Sequence, residues 1–428
     1  MTKRGCSVKR AAPILAAVLL ASCSACSTVQ RSETVCVLNG PGTATSNKVC
    51  YSIPDGLTGF LAGGHVRSGA TVLLTQGNYG NLTIHGLQFK EQVTLSVEPG
   101  QNATFESITI ERSSNFTVRG VEVSQRGKAH TDSPLVYIDE ASRNIVLENL
   151  LVQSAPSVEG WGAQKWRKLA RNGIVSFGQD VEIKNNQIRN VRHGIVSAGD
   201  RSQITQNRIV NFSGDGIRGL GNDSSYLRNS IRNCFKVDGN HDDGFQSWSL
   251  SENKEPGKGV VKNVVLRGNL ILNYADEDQP LKCRLQGIGL FDGIYEDWII
   301  EDNTVIVEHW HGITVMGARN VRISQNTVVD RNPLTEIAPW ITITRHKDGR
   351  KPSGGEVSSN VIMRVNRERG DSSGHKFGLY QDGVHVVDNI ELDRSDVRVF
   401  VSADGQVDVL EFAQGKSVGA RNVPEKQN

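Results

Sequence analysis

Asn207-Arg-Ile209, followed downstream by Gly216-Ile217, is one copy of a motif that recurs through the middle of the chain. Three of the gaps between successive copies are 21, 22 and 23 residues. Repeats of this length leave room for two or three short strands and no crossover helix, so they predict stacked β coils. The Asn-x-Ile-like triplets begin at Asn149, Asn186, Asn207, Asn229, Asn269, Asn303, Asn326 and Asn360, and the trailing glycines are Gly194, Gly216, Gly244, Gly287 and Gly312.

Alternation of apolar residues supports the same architecture. Val181-Glu-Ile183 and Val321-Arg-Ile323 place every second apolar side chain on one face of a strand. One coil cannot bury that face alone, whereas stacked coils share a continuous core. The 44 glycines and three methionines are typical of a turn-rich β protein. We therefore predict an all-β fold, a single-stranded right-handed parallel β-helix, as one domain over residues 60–412.

The repeated asparagines have a structural explanation. We expect them to stack as a hydrogen-bonded ladder at turns, because Asn tolerates the left-handed backbone conformation and satisfies turn backbone groups. We assign no chemistry to this ladder. Insertions between coils, such as residues 154–171 with a short predicted helix, are expected to form the walls of a binding groove.

The amino terminus resembles a bacterial export signal. Four basic residues precede the apolar stretch Ala11–Ala21, and Leu20-Ala-Ser-Cys23 resembles the lipobox of a bacterial lipoprotein. Residues 1–22 are then a signal peptide, Cys23 is lipidated, and residues 23–59 form a tether and cap; the alternative is an ordinary secretory signal. We expect an exported protein, anchored by lipid in the periplasm or outer membrane, with a flexible polar tail over residues 413–428.

Charge and cysteine content narrow the possible partners. Removal of the four basic residues in 1–22 changes the formal net charge from +2 to −2, which leaves no basic field for nucleic acid. We expect a monomer. Because an exported protein can oxidise its cysteines, we predict a disulfide between Cys36 and Cys50. Cys234 and Cys283 are either a second disulfide or two buried core residues.

Three aspartates stand before Gly-Ile-like pairs on neighbouring coils. Asp215 precedes Gly216, and Asp242 with Asp243 precedes Gly244, inside the stretch Asn240-His-Asp-Asp-Gly-Phe-Gln-Ser-Trp248. Adjacent strands lie about 4.8 Å apart, so we expect the three carboxylates to converge. Converging carboxylates share protons or bind a hard cation such as Ca²⁺. The alternative is that each aspartate caps a turn.

Basic side chains follow these acids along the chain. Abstraction of the C5 proton of a uronate needs its carboxylate neutralised and a neutral amine or imidazole within reach. Lys282 and His311 are candidate bases, and Arg284 is expected to lower the pKa of Lys282 and to bind a substrate carboxylate. The alternative is that Lys282 and Arg284 are solvated loop charges. Further candidates for substrate binding are Arg218, His241, Gln246 and Arg345.

Asp215-Gly-Ile, the stretch Asn240–Trp248 and Lys282 together resemble polysaccharide lyase family 9, the Ca²⁺-dependent pectate lyases of the pectin-lyase-like superfamily. The resemblance implies that Asp215, Asp242 and Asp243 bind Ca²⁺ and that Lys282 is the base. Gln246 stands where the family usually has a further aspartate, which lowers the expected affinity for Ca²⁺. The substrate implied is an acidic, uronate-containing polysaccharide.

Three other functions fit the same residues. A polygalacturonase-like glycoside hydrolase also places acids before glycines on successive coils. A uronan C5-epimerase begins with the same proton abstraction as a lyase. A non-catalytic carbohydrate-binding protein of the cell surface would tolerate substitution of all the acids. Of these functions, the cation-rich set around Lys282 favours a polysaccharide lyase.

Overall fold

The computed structural model describes residues 34–38, 50–53, 56–125, 133–253, 255–274, 278–330, 338–363, 379–380, 384–393, 397–401 and 407–412, with the backbone alone at 50, 52, 379–380, 397–401 and 407–412. Cys23, the signal segment 1–22 and the tail 413–428 lie outside these ranges. Within the described ranges, no helix is long and apolar enough to span a membrane.

Three long sheets contain most of the strands in the described ranges, and successive strands along the chain belong to the three sheets in turn. The first sheet has 14 strands, which are, in lateral order, β2 (Cys50–Ser52), β1 (Thr34–Leu38), β3 (Thr71–Leu74), β6 (Gln88–Val97), β9 (Ser114–Arg119), β12 (Arg143–Glu148), β15 (Glu182–Lys184), β18 (Gln203–Thr205), β21 (Ser225–Leu227), β25 (Val265–Arg267), β29 (Ile299–Glu301), β33 (Arg322–Ser324), β36 (Glu356–Ser358) and β39 (His385–Val387).

The second sheet has 12 strands, which are β4 (Gly77–Asn78), β7 (Ala103–Phe105), β10 (Glu122–Ser124), β13 (Leu151–Gln153), β16 (Gln187–Val191), β19 (Arg208–Phe212), β22 (Ser230–Cys234), β26 (Leu270–Leu272), β30 (Thr304–Ile306), β34 (Thr327–Val329), β37 (Val361–Met363) and β40 (Ile390–Leu392). The third sheet has 11 strands, which are β5 (Asn81–His85), β8 (Ser107–Glu111), β11 (Val136–Ile138), β14 (Ile174–Ser176), β17 (Ile195–Ser197), β20 (Ile217–Gly219), β23 (Asp243–Trp248), β27 (Gln286–Asp292), β31 (His311–Met316), β35 (Trp340–Thr344) and β38 (Leu379–Tyr380).

The remaining elements are few. A small parallel sheet contains β24 (Val260–Lys262), β28 (Ile294–Glu296) and β32 (Ala318–Arg319), and β41 (Val397–Val401) pairs antiparallel with β42 (Val407–Phe412). The helices of the described ranges are α1 (Gly56–Ala62) and α2 (Ala163–Leu169). Helix α2 lies inside the insertion 154–171, where a short helix was predicted. Its Trp166 is fully buried and packs on Trp161 and Phe235.

Each coil contributes one strand to each sheet, and like residues stack along the axis. In the third sheet, for example, Ile195 pairs with Ile217, Ile217 with Phe245, and Phe245 with Ile288, all in parallel register. These side chains are at most 2% exposed. Full burial of such a side chain contributes about 1.5–3 kcal/mol, so the stack is the main source of stability. The predicted parallel β-helix is confirmed.

The predicted asparagine ladder is present, with one correction to its geometry. The side-chain oxygen of Asn207 accepts the backbone N–H of Asn186 at 3.1 Å and its side-chain N–H at 2.9 Å, and this pattern continues to Asn389. The left-handed residue is the one before each ladder Asn, such as Gln206 with φ 56°. The turn at that residue directs the following side chain into the stack. Asn149 itself has the left-handed conformation, with φ 56°, so its side chain is not in the ladder. The backbone N–H of the next residue, Leu150, donates to the side-chain oxygen of Asn186.

Disulfide bonds link distant parts of the chain. Cys234, at the end of β22, is bonded to Cys283, 49 residues later in the loop before β27. The first of the two alternatives for this pair is therefore correct. Cys36 is also disulfide-bonded, and its parallel backbone partner is Cys50. The side chain of Cys50 lies outside the described part of the chain, so its pairing with Cys36 stays a prediction.

Candidate functional site

A column of side chains marks one corner of the third sheet, where each strand begins. Each member directly precedes a glycine. The glycines stack in register: the backbone N–H of Gly194 donates to the backbone carbonyl of Asp215, and that of Gly216 donates to the backbone carbonyl of Asp243. A Cβ on Gly194 would lie 2.4 Å from the carbonyl oxygen of Gly216, so the corner requires glycine. We call this set the corner column; its members are His193, Asp215, Asp243, Gln286 and His311.

Three members of the corner column form a hydrogen bond with the side chain at position i+3 of the chain. The Nε of Arg218 donates to Asp215 at 2.5 Å, and the Nε2 of Gln246 donates to Asp243 at 3.0 Å. His311 Nδ1 lies 2.9 Å from Thr314 Oγ1. Arg218 and Gln246 are half-buried on the outer face of the sheet, since they alternate with the buried residues of their strands, whereas Thr314 is 1% exposed and accepts the indole N–H of Trp340 at 2.9 Å. Asp215 and Asp243 of the corner column therefore orient two outward polar groups, Arg218 and Gln246.

Asp215 is buried, and its carboxylate has two hydrogen-bond partners while its backbone N–H has a third. It is 0% exposed and accepts hydrogen bonds from Arg218 and from the backbone N–H of Asp243, the latter at 2.9 Å. His193 Nδ1 accepts the backbone N–H of Asp215 at 2.8 Å. Burial raises the pKa of Asp215, while Arg218 opposes that rise. Burial, followed by the charge of Arg218, lowers the pKa of His193, so this imidazole is neutral.

Asp243 is also 0% exposed, but it has less support. Its Oδ2 accepts from Gln246, whereas its Oδ1 has no hydrogen-bond partner among the described residues. A Cβ on Gly289 would lie 2.4 Å from this Oδ1 and 2.3 Å from the ring of Phe291, so both groups cover the bare glycine. Burial, together with the charges of Asp215 and Asp242, raises the pKa of Asp243 well above its usual range. This environment favours the protonated form.

Asp242 does not join the other two aspartates, which corrects the expected convergence. Its carboxylate accepts from Lys236 at 3.0 Å and from Asn240 at 3.2 Å. It lies within 4.8 Å of the sulfurs of Cys234 and Cys283. Burial raises its pKa to about 6, and Lys236 opposes the rise. Successive side chains of an extended segment point in opposite directions, which separates Asp242 from Asp243.

These residues do not fit the expected Ca²⁺ site. Ca²⁺ takes six to eight oxygen ligands. Here, two of the three expected carboxylates already form ion pairs, Asp215 with the guanidinium of Arg218 and Asp242 with the ammonium of Lys236. Among the described residues, the one group of three acids, histidines or cysteines close enough to share an ion contains Asp242 and the two sulfurs of a disulfide. A disulfide sulfur is not a thiolate ligand.

Histidines gather at the other end of the corner column. The rings of His309 and His311 stack with centroids 5.2 Å apart, and His241 Nδ1 lies 3.4 Å from the Nε2 of Gln286. Burial, followed by the charges of His311, Arg284 and His241, lowers the pKa of His309 to about 3. Burial and the charge of His241 lower the pKa of His311 to about 4. Both imidazoles are therefore neutral at neutral pH.

The remaining predicted residues are Lys282, Arg284 and Arg345. The ammonium of Lys282 lies 4.8 Å from the ring centroid of Tyr274, in an exposed loop position. Arg284 is exposed, with its Nε 3.5 Å from the carbonyl oxygen of Glu308. Arg345 follows the last residue of β35, at the opposite end of the strand from the corner column.

Comparison with known proteins identifies the architecture. The family described as "right handed beta helix region" matches residues 172–333. The A-module of a mannuronan C-5 epimerase from Azotobacter vinelandii is 14% identical with a TM-score of 0.53, over 78% of this chain and 94% of that one.

The chain is a right-handed parallel β-helix. Other solved β-helices are similar at lower scores. A PL6 alginate lyase in complex with a trisaccharide is 14% identical with a TM-score of 0.48, over 91% of this β-helix and 92% of that chain. The pectate lyase Pel9A is 12% identical with a TM-score of 0.43, over 92% and 90%. No curated protein matches the chain significantly.

Sequence reasoning missed three residues of this β-helix site: His193, Gln286 and Phe291. His193 precedes Gly194-Ile195 in the same way that Asp215 precedes Gly216-Ile217, so the repeat itself carried the signal. Gln286 likewise precedes Gly287-Ile288. Phe291 had no such signal, because its place beside Asp243 depends on the register between β23 and β27.

Proposed function

We propose that this β-helix is an enzyme that cleaves a uronate-containing polysaccharide by β-elimination on the outer face of the third sheet. The observation that carries the proposal is the neutral imidazole of His311, which stacks on His309, itself in the field of Arg284. A neutral base and a cation are the two groups that abstraction of a C5 proton from a uronate requires.

In the proposed reaction, Arg284 binds the sugar carboxylate and stabilises the negative charge that develops on it. In the tautomer whose Nδ1–H is donated to Thr314, the Nε2 of His311 accepts the C5 proton. The electrons of the C5–H bond form the C4=C5 double bond, and the C4–O4 bond breaks. The imidazolium of His311 then returns its proton to the departing O4. The products are an unsaturated uronate and a free 4-hydroxyl.

The two buried aspartates argue against the hydrolase alternative. A glycoside hydrolase needs two carboxyl groups that reach the scissile bond and the attacking water. Asp215 and Asp243 are each 0% exposed, and their described partners are protein groups. We therefore assign them the role of orienting Arg218 and Gln246. This role replaces the Ca²⁺ ligation that resemblance to family 9 implied.

The test is an assay of product chemistry on polygalacturonate, alginate and glucuronan, with Ca²⁺ or with EDTA. Absorbance of the 4,5-unsaturated product should rise on one of these polymers in both conditions. His311→Gln should lower kcat by at least about 100-fold, the usual contribution of a general base. Lys282→Met is the matched control, and it should retain turnover because its ammonium lies over the Tyr274 ring.

Each alternative has a distinct outcome in this assay. New reducing ends without unsaturated product would indicate a hydrolase, and altered uronate stereochemistry without cleavage would indicate an epimerase. Binding without any turnover would indicate a carbohydrate-binding protein. Turnover that EDTA abolishes and Lys282→Met removes would restore the Ca²⁺ and Lys282 assignments.

We also propose that the protein is exported and held at a membrane surface through lipid on Cys23. Support comes from the basic start, the apolar stretch and the lipobox-like Leu20-Ala-Ser-Cys23. An acidic polysaccharide outside the cytoplasm would then be its substrate.

A further inference from the structure

We propose that Arg218 forms a second carboxylate-binding subsite, which holds an acidic sugar unit of the same polymer at a distance from the unit that reacts at His311. The inference rests on the proposed function for the nature of the polymer. The sugar class follows from the guanidinium, which matches a carboxylate in shape and charge.

The guanidinium of Arg218 is fixed in place from two sides. Its Nε donates to Asp215 at 2.5 Å, and its central carbon lies 5.3 Å from the ring centroid of Trp248. Among the described residues, neither Nη atom has a hydrogen-bond partner, and 24% of the side chain is exposed. Two parallel N–H donors are therefore preorganised for one carboxylate.

The support beneath Arg218 is rigid, because its members are buried and bonded to each other. Asp215 is 0% exposed and also accepts the backbone N–H of Asp243 at 2.9 Å. His193, 5% exposed, accepts the backbone N–H of Asp215. A guanidinium held in one orientation loses little further freedom on binding, which favours affinity.

The spacing separates this subsite from the reacting unit. Arg218 pairs in register with Gln246, Gln246 with Gly289, and Gly289 with Thr314, the partner of His311. Three strand spacings amount to about 14 Å, which is longer than a disaccharide. Arg218 and His311 therefore contact different units of one chain. A substrate that uses both sites is a polymer with repeated acid groups.

The experiment measures binding by calorimetry and turnover by absorbance, with polygalacturonate and alginate as probes. Arg218→Gln alone would leave the buried Asp215 carboxylate without its cationic partner, so the main variant is the double change Asp215→Asn with Arg218→Gln. Its Kd and KM for the polymer should rise about tenfold to hundredfold, the equivalent of a lost charged hydrogen-bond pair, and kcat should change little. Thermal unfolding of each variant checks that it is folded.

Two further variants sharpen the test. Arg218→Lys should fail to restore affinity, since an ammonium cannot bind Asp215 and also present two parallel donors. Arg201→Gln is the matched control, because Arg201 pairs through its Nε with Asp180 at 2.6 Å on a different sheet corner. It should bind the polymer as the wild type does.

The outcomes separate this inference from the proposed function. Unchanged Kd and KM in the folded double variant would overturn the subsite while leaving the lyase assignment intact. Loss of binding on the double change, in a wild type that shows no turnover, would support the subsite and overturn the lyase. Absence of wild-type binding to both probes would overturn the subsite.

Discussion

His311 owes its proposed role to burial, which lowers its pKa to about 4. An exposed imidazole would titrate near 6.5 and lose half its basic form there. We therefore expect kcat/KM to hold as pH falls to about 5 and to decline around pH 4. A pH–rate profile on the active polymer measures this limb. An acidic limb near pH 6.5 would contradict the assignment, because it would require a more exposed base.

Asp242 gives a second prediction, on stability. Its folded pKa of about 6 is higher than that of an unfolded aspartate, near 3.9. The folded state thus binds the extra proton, so this contribution to stability is present below pH 4 and is lost as pH rises through 6.

Asp242→Asn removes this titration. The unfolding temperature of the wild type should therefore fall relative to the variant between pH 4 and pH 7, by a few degrees at most. Differential scanning calorimetry of both proteins at these two pH values measures the difference. An equal change in both proteins would show that Asp242 is not protonated in this range.

At the scale of elements, the asparagine ladder joins successive coils from Asn186 to Asn389. Asn229 accepts the backbone N–H of Asn207 at 3.0 Å and donates to the carbonyl oxygen of Ile204 at 2.8 Å. Asn229→Ala would leave these buried groups unpaired, at about 1–3 kcal/mol for each. We expect urea unfolding to show a loss of at least about 2 kcal/mol.

A matched control for this change is Asn263→Gly. Asn263 is exposed and has φ 57°, so glycine keeps its backbone conformation without disturbing buried groups. It should change the free energy of unfolding by less than about 0.5 kcal/mol. Equal losses in the two variants would mean that the ladder contributes no more than a surface turn.

At the scale of the whole molecule, the third sheet provides one long face on which a polymer can lie, and Cys23 would fix the molecule to a membrane. In a bacterial host, the wild type should therefore sediment with membranes, and Cys23→Ala should move it to the soluble exported fraction. Immunoblots of the fractions measure the distribution. Equal distribution of both proteins would favour an ordinary cleaved secretory signal.

The sequence alone was sufficient for the fold class. Repeats such as Asn186, Asn207 and Asn229 recur at the length of one coil, and a stacked solenoid needs only neighbouring repeats to match. The positions of Asp215, Asp242 and Asp243 before glycines predicted that the three carboxylates converge, and in the structure Asp215 and Asp243 stack whereas Asp242 has other partners.

Only the tertiary structure showed how those side chains are placed and what surrounds them. Side-chain direction separates Asp242 from Asp243 and leaves the Nη atoms of Arg218 without a hydrogen-bond partner among the described residues. Burial keeps the imidazole of His311 neutral. The loop before β27 leaves the repeat, so its spacing could not place Lys282. Periodicity determines which residues stack, whereas irregular segments and burial determine which of them can reach a substrate and carry a charge.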